Sequence, residues 1–220
     1  MIKEKLGHRI DGWIHRGFPF LFWHPINPDL LTILGMLIAG SAGLAFAQGA
    51  FAWAGCLLLV GGFFDLVDGV VARHFEISTR FGAFLDSTLD RVVDILTMVG
   101  LLVYFARAPI VKAGPFAISK PDELGIALCT VILVASVLTS YAKARAEQMT
   151  APMPGGLLER GERIGLLALG AIFGLLWPVL WVLAIGTVMT VGQRFLYAYR
   201  EMNRLDEVER SSGPGSGVTG

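Results

Sequence analysis

The stretch DLVDGVVARHFEISTRFGAFLDSTLD, residues 65–90, sets four aspartates within a chain that is otherwise strongly apolar. On an α-helix of about 3.6 residues per turn, Asp65 and Asp68 lie on one face, and so do Asp86 and Asp90. The segment between the two pairs, HFEIST, has loop character. The stretch therefore predicts the end of one helix, a short turn and the start of the next helix, with two pairs of carboxylates facing each other.

Four carboxylates held this close together cannot all stay ionised unless cations neutralise them. A charge near the centre of a bilayer costs about 2.5–3.5 kcal/mol to insert, although the ends of a span cost less. Hard divalent cations with oxygen ligands, Mg²⁺ or Mn²⁺, suit such a site, and two ions would offset the four acids. Solvated aspartates at helix ends are the alternative, which the apolar flanks disfavour. The predicted metal ligands are Asp65, Asp68, Asp86 and Asp90.

The composition is that of a membrane protein. Of 220 residues, 54% are hydrophobic and 16% are charged, and the mean hydropathy is +0.63, whereas a soluble domain carries about 25% charged residues. The apolar residues form six blocks, each close to the roughly 20 residues that cross a bilayer as a helix. We therefore predict an all-α polytopic membrane protein with six transmembrane helices, at residues 27–47, 51–73, 81–105, 124–146, 157–176 and 178–199.

The ends of the chain differ in character from its middle. Residues 1–22 repeat apolar residues at helical spacing with Lys and Arg between them, which predicts an amphipathic interfacial helix; packing against the spans is the alternative. Residues 23–205 form the predicted six-helix membrane catalytic domain, with tight turns at 48–49 and 177–178. Residues 206–220 end in SSGPGSGVTG, and their composition predicts a disordered tail.

The distribution of positive charge predicts the orientation of the chain. All but three of the 18 Lys and Arg residues lie on the side that carries both termini and the aspartates; the exceptions are Arg107, Lys112 and Lys120. Cytoplasmic segments carry the excess of positive charge, so the aspartates are predicted to face the cytoplasm from a multi-pass protein of the cell membrane. The net charge of zero gives no indication of a nucleic-acid partner.

The aspartates belong to a longer motif, D-x2-D-G-x2-A-R-x8-G-x3-D-x3-D, with Gly69, Ala72, Arg73 and Gly82 between the acids. All of its fixed positions match the signature of the CDP-alcohol phosphotransferases, and the chain resembles this family over residues 27–200. The resemblance implies that a CDP-linked lipid gives its phosphatidyl group to an alcohol and releases CMP, at a two-metal site in a homodimer. A cation transporter or channel is the alternative from another class, but conduction does not explain the fixed Gly, Ala and Arg positions.

The resemblance also implies roles for individual residues. Asp90 ends the motif and is the candidate general base, since an attacking hydroxyl needs an acceptor within hydrogen-bond reach. The segment NPDLLT is similar to an Asn-Pro-x3-Thr element that helps to bind the CDP moiety in this family, and it also suits a plain helix start. The predicted CDP-lipid-binding residues are Asn27, Pro28, Asp29, Thr32, Asp68, Gly69, Ala72, Arg73, Thr79 and Gly82.

Cations near the ends of the last three predicted spans indicate the acceptor. Lys143, Arg163 and Arg194 lie on the side of the aspartates, and their convergence would suit the phosphate of a phosphorylated alcohol, with Arg145 and Arg160 in reserve. These segments resemble the branch of the family whose acceptor is inositol phosphate. Glycerol 3-phosphate, which would yield phosphatidylglycerophosphate, is the competing acceptor, and membrane anchoring is the alternative role for each cation.

Removal of divalent cations tests the metal prediction. Excess EDTA should abolish the release of CMP from a CDP-lipid by the purified protein, and added Mg²⁺ or Mn²⁺ should restore it. Ca²⁺ should serve poorly, because its larger and looser coordination shell does not enforce the geometry of an in-line displacement. Full turnover in excess EDTA would contradict a metal-dependent reaction.

Overall fold

The structure, a computed structural model, describes residues 27–107, 121–150 and 152–212, together with Arg16 and Phe18. Regular secondary structure within these ranges is helical, which confirms the predicted all-α class. The predicted interfacial helix of residues 1–22 lies outside the described residues, apart from Arg16 and Phe18. The six described helices are α1 (Pro28–Ala47), α2 (Phe51–His74), α3 (Arg80–Arg107), α4 (Pro121–Ala146), α5 (Arg160–Ile172) and α6 (Leu176–Ser212).

Four of these helices, α1, α2, α4 and α6, are long and apolar enough to cross a membrane, and the chain is a membrane protein. The 28-residue α3 has the length but carries the second aspartate pair, which lowers its hydropathy. The 13-residue α5 rises about 20 Å at 1.5 Å per residue. This rise is shorter than the hydrocarbon core of a bilayer, which is about 30 Å thick.

The first helix and the first turn follow from local sequence. The side-chain oxygen of Asn27 accepts a hydrogen bond from the Asp29 N–H (2.9 Å) and caps α1. Pro28 occupies the first helical position, where its missing N–H has no helical partner to lose. Gly49, with a φ of +75°, makes the predicted tight turn into α2, because glycine adopts this left-handed conformation without steric cost.

The last turn lies upstream of its predicted position. The prediction places it at residues 177–178, whereas α5 ends at Ile172 and α6 begins at Leu176. Gly174 has a φ of +71° and makes the turn. Pro178 falls in the first turn of α6, where a helix tolerates proline, so the proline belongs to the helix and does not mark the turn before it.

The final helix is longer than predicted. α6 runs for 37 residues to Ser212, so the tail predicted to be disordered from residue 206 is helical as far as Ser212. An ion pair between Glu201 and Arg204 (2.6 Å), three residues apart, stabilises the helical turn just before the predicted tail. The remainder of the predicted tail, residues 213–220, lies outside the described residues.

Glycines allow α1 to approach α2 and α3 closely. A Cβ atom at Gly61 of α2 would lie 2.8 Å from the carbonyl oxygen of Gly35 of α1, and one at Gly100 of α3 would collide with the backbone of Gly43 of α1. α5 packs on α2, and α4 packs on α3 and α6. Small residues permit such contacts between helices in lipid, and here they hold the aspartate-bearing ends of α2 and α3 beside the start of α1.

A matched pair of glycine variants tests the close contact of α1 with α3. Gly100→Ala should lower the thermal unfolding midpoint of the protein in detergent, since overpacking costs about 1–3 kcal/mol. Gly62→Ala is the control, because a Cβ atom there meets no described atom within 4 Å and alanine is the better helix former. Equal unfolding midpoints for the two variants would show that the close contact of α1 with α3 does not contribute to stability.

Candidate active site

Three of the four aspartates form a compact group, here called the three-aspartate group. One carboxylate oxygen from each of Asp65, Asp68 and Asp86 lies within 4.8 Å of the others. Asp68 is buried, and its Oδ2 accepts a hydrogen bond from Thr32 Oγ1 (2.5 Å). Asp86 Oδ1 is buried and has no hydrogen-bond partner among the described residues. Clustered carboxylate oxygens with an unmet acceptor fit a hard divalent cation.

Asp90 lies apart from this group and faces two arginines. Its Oδ1 is 2.7 Å from Arg160 Nη1, and its Oδ2 is 4.0 Å from Arg91 Nη1. The same Nη1 of Arg160 is 3.5 Å from Asp65 Oδ2. A guanidinium therefore links Asp90 to the three-aspartate group, and the assignment of Asp90 as metal ligand and general base stays a prediction.

A cavity of about 330 Å³ is lined by the start of α1, the end of α2 and the start of α3; we call it the α1–α3 cavity. A Cβ atom at Gly82 would lie 2.9 Å from Asp29 Oδ1, so glycine keeps this space open. Thr79 Oγ1 accepts a hydrogen bond from the Gly82 N–H (2.8 Å) and fixes the first turn of α3. The α1–α3 cavity is lined by every predicted CDP-lipid-binding residue except Asn27: Pro28, Asp29, Thr32, Asp68, Gly69, Ala72, Arg73, Thr79 and Gly82.

A second cavity, of about 220 Å³, brings together the three cations predicted to bind the acceptor phosphate. Lys143 from α4, Arg163 from α5 and Arg194 from α6 all line it, together with Asp90 and Arg160. We call it the cationic cavity. It adjoins the predicted base and collects positive charge from the last three helices of the chain.

The cations of this cavity differ in how firmly they are held. Arg163 is buried, with Nη2 2.9 Å from Asp94 Oδ2. Arg194 is also buried, and its Nη1 donates a hydrogen bond to the carbonyl oxygen of Thr139 (2.6 Å). Lys143 Nζ is 3.9 Å from Glu147 Oε1 and its side chain is 44% exposed, so Lys143 is the least constrained of the three cations.

Comparison with known proteins identifies the family. Residues 25–200 match the family model described as CDP-alcohol phosphatidyltransferase. The chain belongs to this family. This membership confirms the family resemblance predicted from the aspartate motif. The chain is therefore an enzyme, and the alternative of a cation transporter or channel is wrong.

Relatives of this phosphatidyltransferase are known from bacteria and archaea. The phosphatidylinositol phosphate synthase of Mycobacteroides abscessus is 37% identical over 177 residues, which cover 76% of this chain and 75% of the relative. The archaetidylinositol phosphate synthase of Methanothermobacter thermautotrophicus is 33% identical over 180 residues, which cover 79% of this chain and 84% of the relative.

Solved structures share the fold of this phosphatidyltransferase. The crystal structure of Mycobacterium tuberculosis phosphatidylinositol phosphate synthase with CDP-DAG bound has a TM-score of 0.69 and 29% identity, covering 90% of this chain and 95% of that chain. The same enzyme in complex with manganese and citrate has a TM-score of 0.69 and 32% identity, covering 86% of this chain and 88% of that chain.

The residue of this phosphatidyltransferase that sequence reasoning undervalued is Arg160. Its guanidinium contacts Asp90, Asp65 and, through Nε at 3.9 Å, Asp94. Glu159 and Glu162 are nearer to Arg160 in the sequence. The local sequence therefore gives no indication that Arg160 pairs with acids of α2 and α3. Arg145, the other reserve cation, does not line the cationic cavity and instead donates to Gln148 Oε1 (2.9 Å).

Replacement of Thr32 by valine tests how Asp68 is positioned. Valine keeps the side-chain shape and removes the hydroxyl that donates to Asp68, and such outer-shell groups contribute about 10–100-fold to metal affinity. Thr32→Val should therefore weaken Mn²⁺ binding to the substrate-free enzyme about tenfold, measured by the EPR signal of free Mn²⁺. Thr130→Val is the control, because that hydroxyl donates to the Ile126 carbonyl within α4 (2.8 Å). Unchanged affinity in Thr32→Val would refute this positioning role.

Proposed function

We propose that this phosphatidyltransferase is a phosphatidylinositol phosphate synthase. It transfers the phosphatidyl group of CDP-diacylglycerol to inositol phosphate, releasing CMP and forming phosphatidylinositol phosphate. One observation carries the choice of acceptor: Lys143, Arg163 and Arg194 line one cavity with Asp90. A free polyol needs no such cluster of cations, whereas a phosphorylated one matches it. The names of the relatives support the same acceptor.

The three-aspartate group would hold the metal, with Asp90 as the further predicted ligand, and we propose two ions of Mg²⁺ or Mn²⁺. Divalent cations bound there supply charge neutralisation and polarisation of the phosphoryl group under attack. Support comes from the grouped oxygens of Asp65, Asp68 and Asp86 and from the manganese in the structure of the Mycobacterium tuberculosis enzyme.

The α1–α3 cavity is the proposed site of the CDP moiety. Arg73 lines it, and a guanidinium binds a phosphate with two parallel hydrogen bonds. Gly69 and Gly82 leave room for the nucleotide to approach the carboxylates. Thr32 orients Asp68, and Asn27 acts indirectly by capping the helix that carries Thr32.

Asp90 is the proposed base in the reaction. The acceptor phosphate binds to the cations of the cationic cavity and directs a ring hydroxyl toward the Asp90 carboxylate, which accepts its proton. The hydroxyl oxygen forms a bond to the phosphorus on the lipid side of the diphosphate. The bond from that phosphorus to the bridging oxygen breaks, and the oxygen leaves with CMP.

The membrane arrangement is part of the proposal. We propose that α3 and α5 complete six spans in the cell membrane, with the aspartates facing the cytoplasm and residues 1–22 lying at the interface. The excess of Lys and Arg on the aspartate side supports this orientation. A soluble phosphorylated alcohol would reach the site from that side. The homodimer implied by the family resemblance stays a prediction.

A panel of acceptors tests the proposed function directly. The purified enzyme, labelled CDP-diacylglycerol and Mg²⁺ are combined with inositol phosphate, free inositol or glycerol 3-phosphate, and the lipid products are identified. Inositol phosphate should be used in clear preference. Preferential formation of phosphatidylglycerophosphate would show that glycerol 3-phosphate is the acceptor. Efficient use of free inositol would contradict the proposal that the cationic cavity binds an acceptor phosphate.

Two cations on the same helix give a matched test of the acceptor site. Lys143 lines the cationic cavity, whereas Arg145, two residues further along α4, does not. A charge-assisted contact contributes about 1.5–3 kcal/mol, so Lys143→Gln should raise KM for inositol phosphate about tenfold and leave KM for CDP-diacylglycerol unchanged. Arg145→Gln should change neither constant. Equal effects of the two variants would indicate a general loss of positive charge and no specific contact.

A further inference from the structure

Arg160 stands between the two halves of the active site. It is the first residue of α5, and it lines both the cationic cavity and a small cavity beside Asp65 and Asp90. Its Nη1 is 2.7 Å from Asp90 Oδ1 and 3.5 Å from Asp65 Oδ2. One guanidinium nitrogen therefore neutralises a member of the three-aspartate group and the predicted base together.

This position conflicts with a divalent cation. Asp65 belongs to the group that suits the metal and also faces Arg160, so a cation held by its carboxylate lies within a few ångströms of another positive charge. Like charges at such distances repel strongly where water is scarce. Asp90 meets a related conflict, because a carboxylate in a short bond to a guanidinium is a poor acceptor for the proton of an attacking hydroxyl.

The structure offers Arg160 a second carboxylate partner, Asp94. Its Nε is buried without a hydrogen-bond partner among the described residues, and it already lies 3.9 Å from Asp94 Oδ1. The other oxygen of Asp94 holds Arg163 (2.9 Å). A rotation of the Arg160 side chain toward Asp94 would release Asp90 and Asp65, while the side chain stays in the cationic cavity beside Lys143, Arg163 and Arg194.

We propose that Arg160 is a positioning residue that couples the metal site to the acceptor site. Binding of divalent cations at Asp65 and Asp90 displaces its guanidinium from these two carboxylates toward Asp94, within the cationic cavity, where it strengthens binding of the acceptor phosphate. The coupling is reciprocal, so the acceptor also strengthens metal binding. The identity of the acceptor rests on the proposed function, whereas the competition between Arg160 and the metal does not.

The first experiment measures the metal alone. The purified, EDTA-treated enzyme without substrates is titrated with Mn²⁺, and free Mn²⁺ is followed by EPR. Arg160→Gln should bind Mn²⁺ about tenfold more tightly than the wild type, within the usual range of coupling between sites, and Arg160→Lys, which keeps the charge, should stay near the wild type. Arg91→Gln is the matched control, because Arg91 is 4.0 Å from Asp90 and no ion pair joins it to Asp65 among the described residues; its effect should be much smaller.

The second experiment measures inositol phosphate by calorimetry, with and without saturating Mn²⁺. In the wild type, Mn²⁺ should lower the Kd for inositol phosphate at least about fivefold. In Arg160→Gln, Mn²⁺ should leave this Kd unchanged. Unchanged or weaker Mn²⁺ binding by Arg160→Gln, or a gain that persists in this variant, overturns the coupling. If neither protein binds inositol phosphate while Arg160→Gln still binds Mn²⁺ more tightly, the displacement stands and the proposed acceptor is wrong.

Discussion

The balance of charge around four carboxylates at the helix ends is the constraint on which the rest of the site depends. Asp65, Asp68 and Asp86 gather their oxygens within 4.8 Å, an arrangement that is unfavourable without positive charge nearby. Arg160 supplies some of that charge from the side of α5, and divalent cations would supply the rest. Each of the two cavities borders these carboxylates. The nucleotide is expected in the α1–α3 cavity, which Asp68 and Asp86 line, and the acceptor phosphate in the cationic cavity, which the arginines line.

Helix packing converts this charge pattern into a defined geometry. The glycine contacts bring α1 against α2 and α3, and Thr32 then reaches Asp68 across the helix interface. Asp29 and Gly82 meet in the same way where α1 faces the start of α3. The polar contacts of the site thus depend on apolar contacts one or more turns away, which explains why a small change such as an added methyl group is expected to affect the whole bundle.

Much of this architecture was predictable because its determinants are local. Blocks of apolar residues, the Asn27 cap and Gly49 place α1 and α2 to within about a residue, and the motif spacing places the aspartates on facing helix ends. The partner of Arg160 was not predictable, since it depends on how α5 packs against α2 and α3. The last turn was misplaced because Pro178 suits a helix start as well as a turn. The start of the tail was misplaced because the helix continues through charged residues beyond residue 206, where Arg210 in the last turn of α6 interacts favourably with the negative end of the helix dipole.

The shortness of α5 has a consequence for the lipid around it. As the fifth span of the proposed topology, this 13-residue helix falls about 10 Å short of the hydrocarbon thickness. Local thinning is one response of a bilayer to such hydrophobic mismatch. In the proposed topology, thinning beside α5 would lower the headgroup plane toward the carboxylates at the neighbouring helix ends. A diphosphate attached to a lipid would then reach the site without its acyl chains leaving the leaflet.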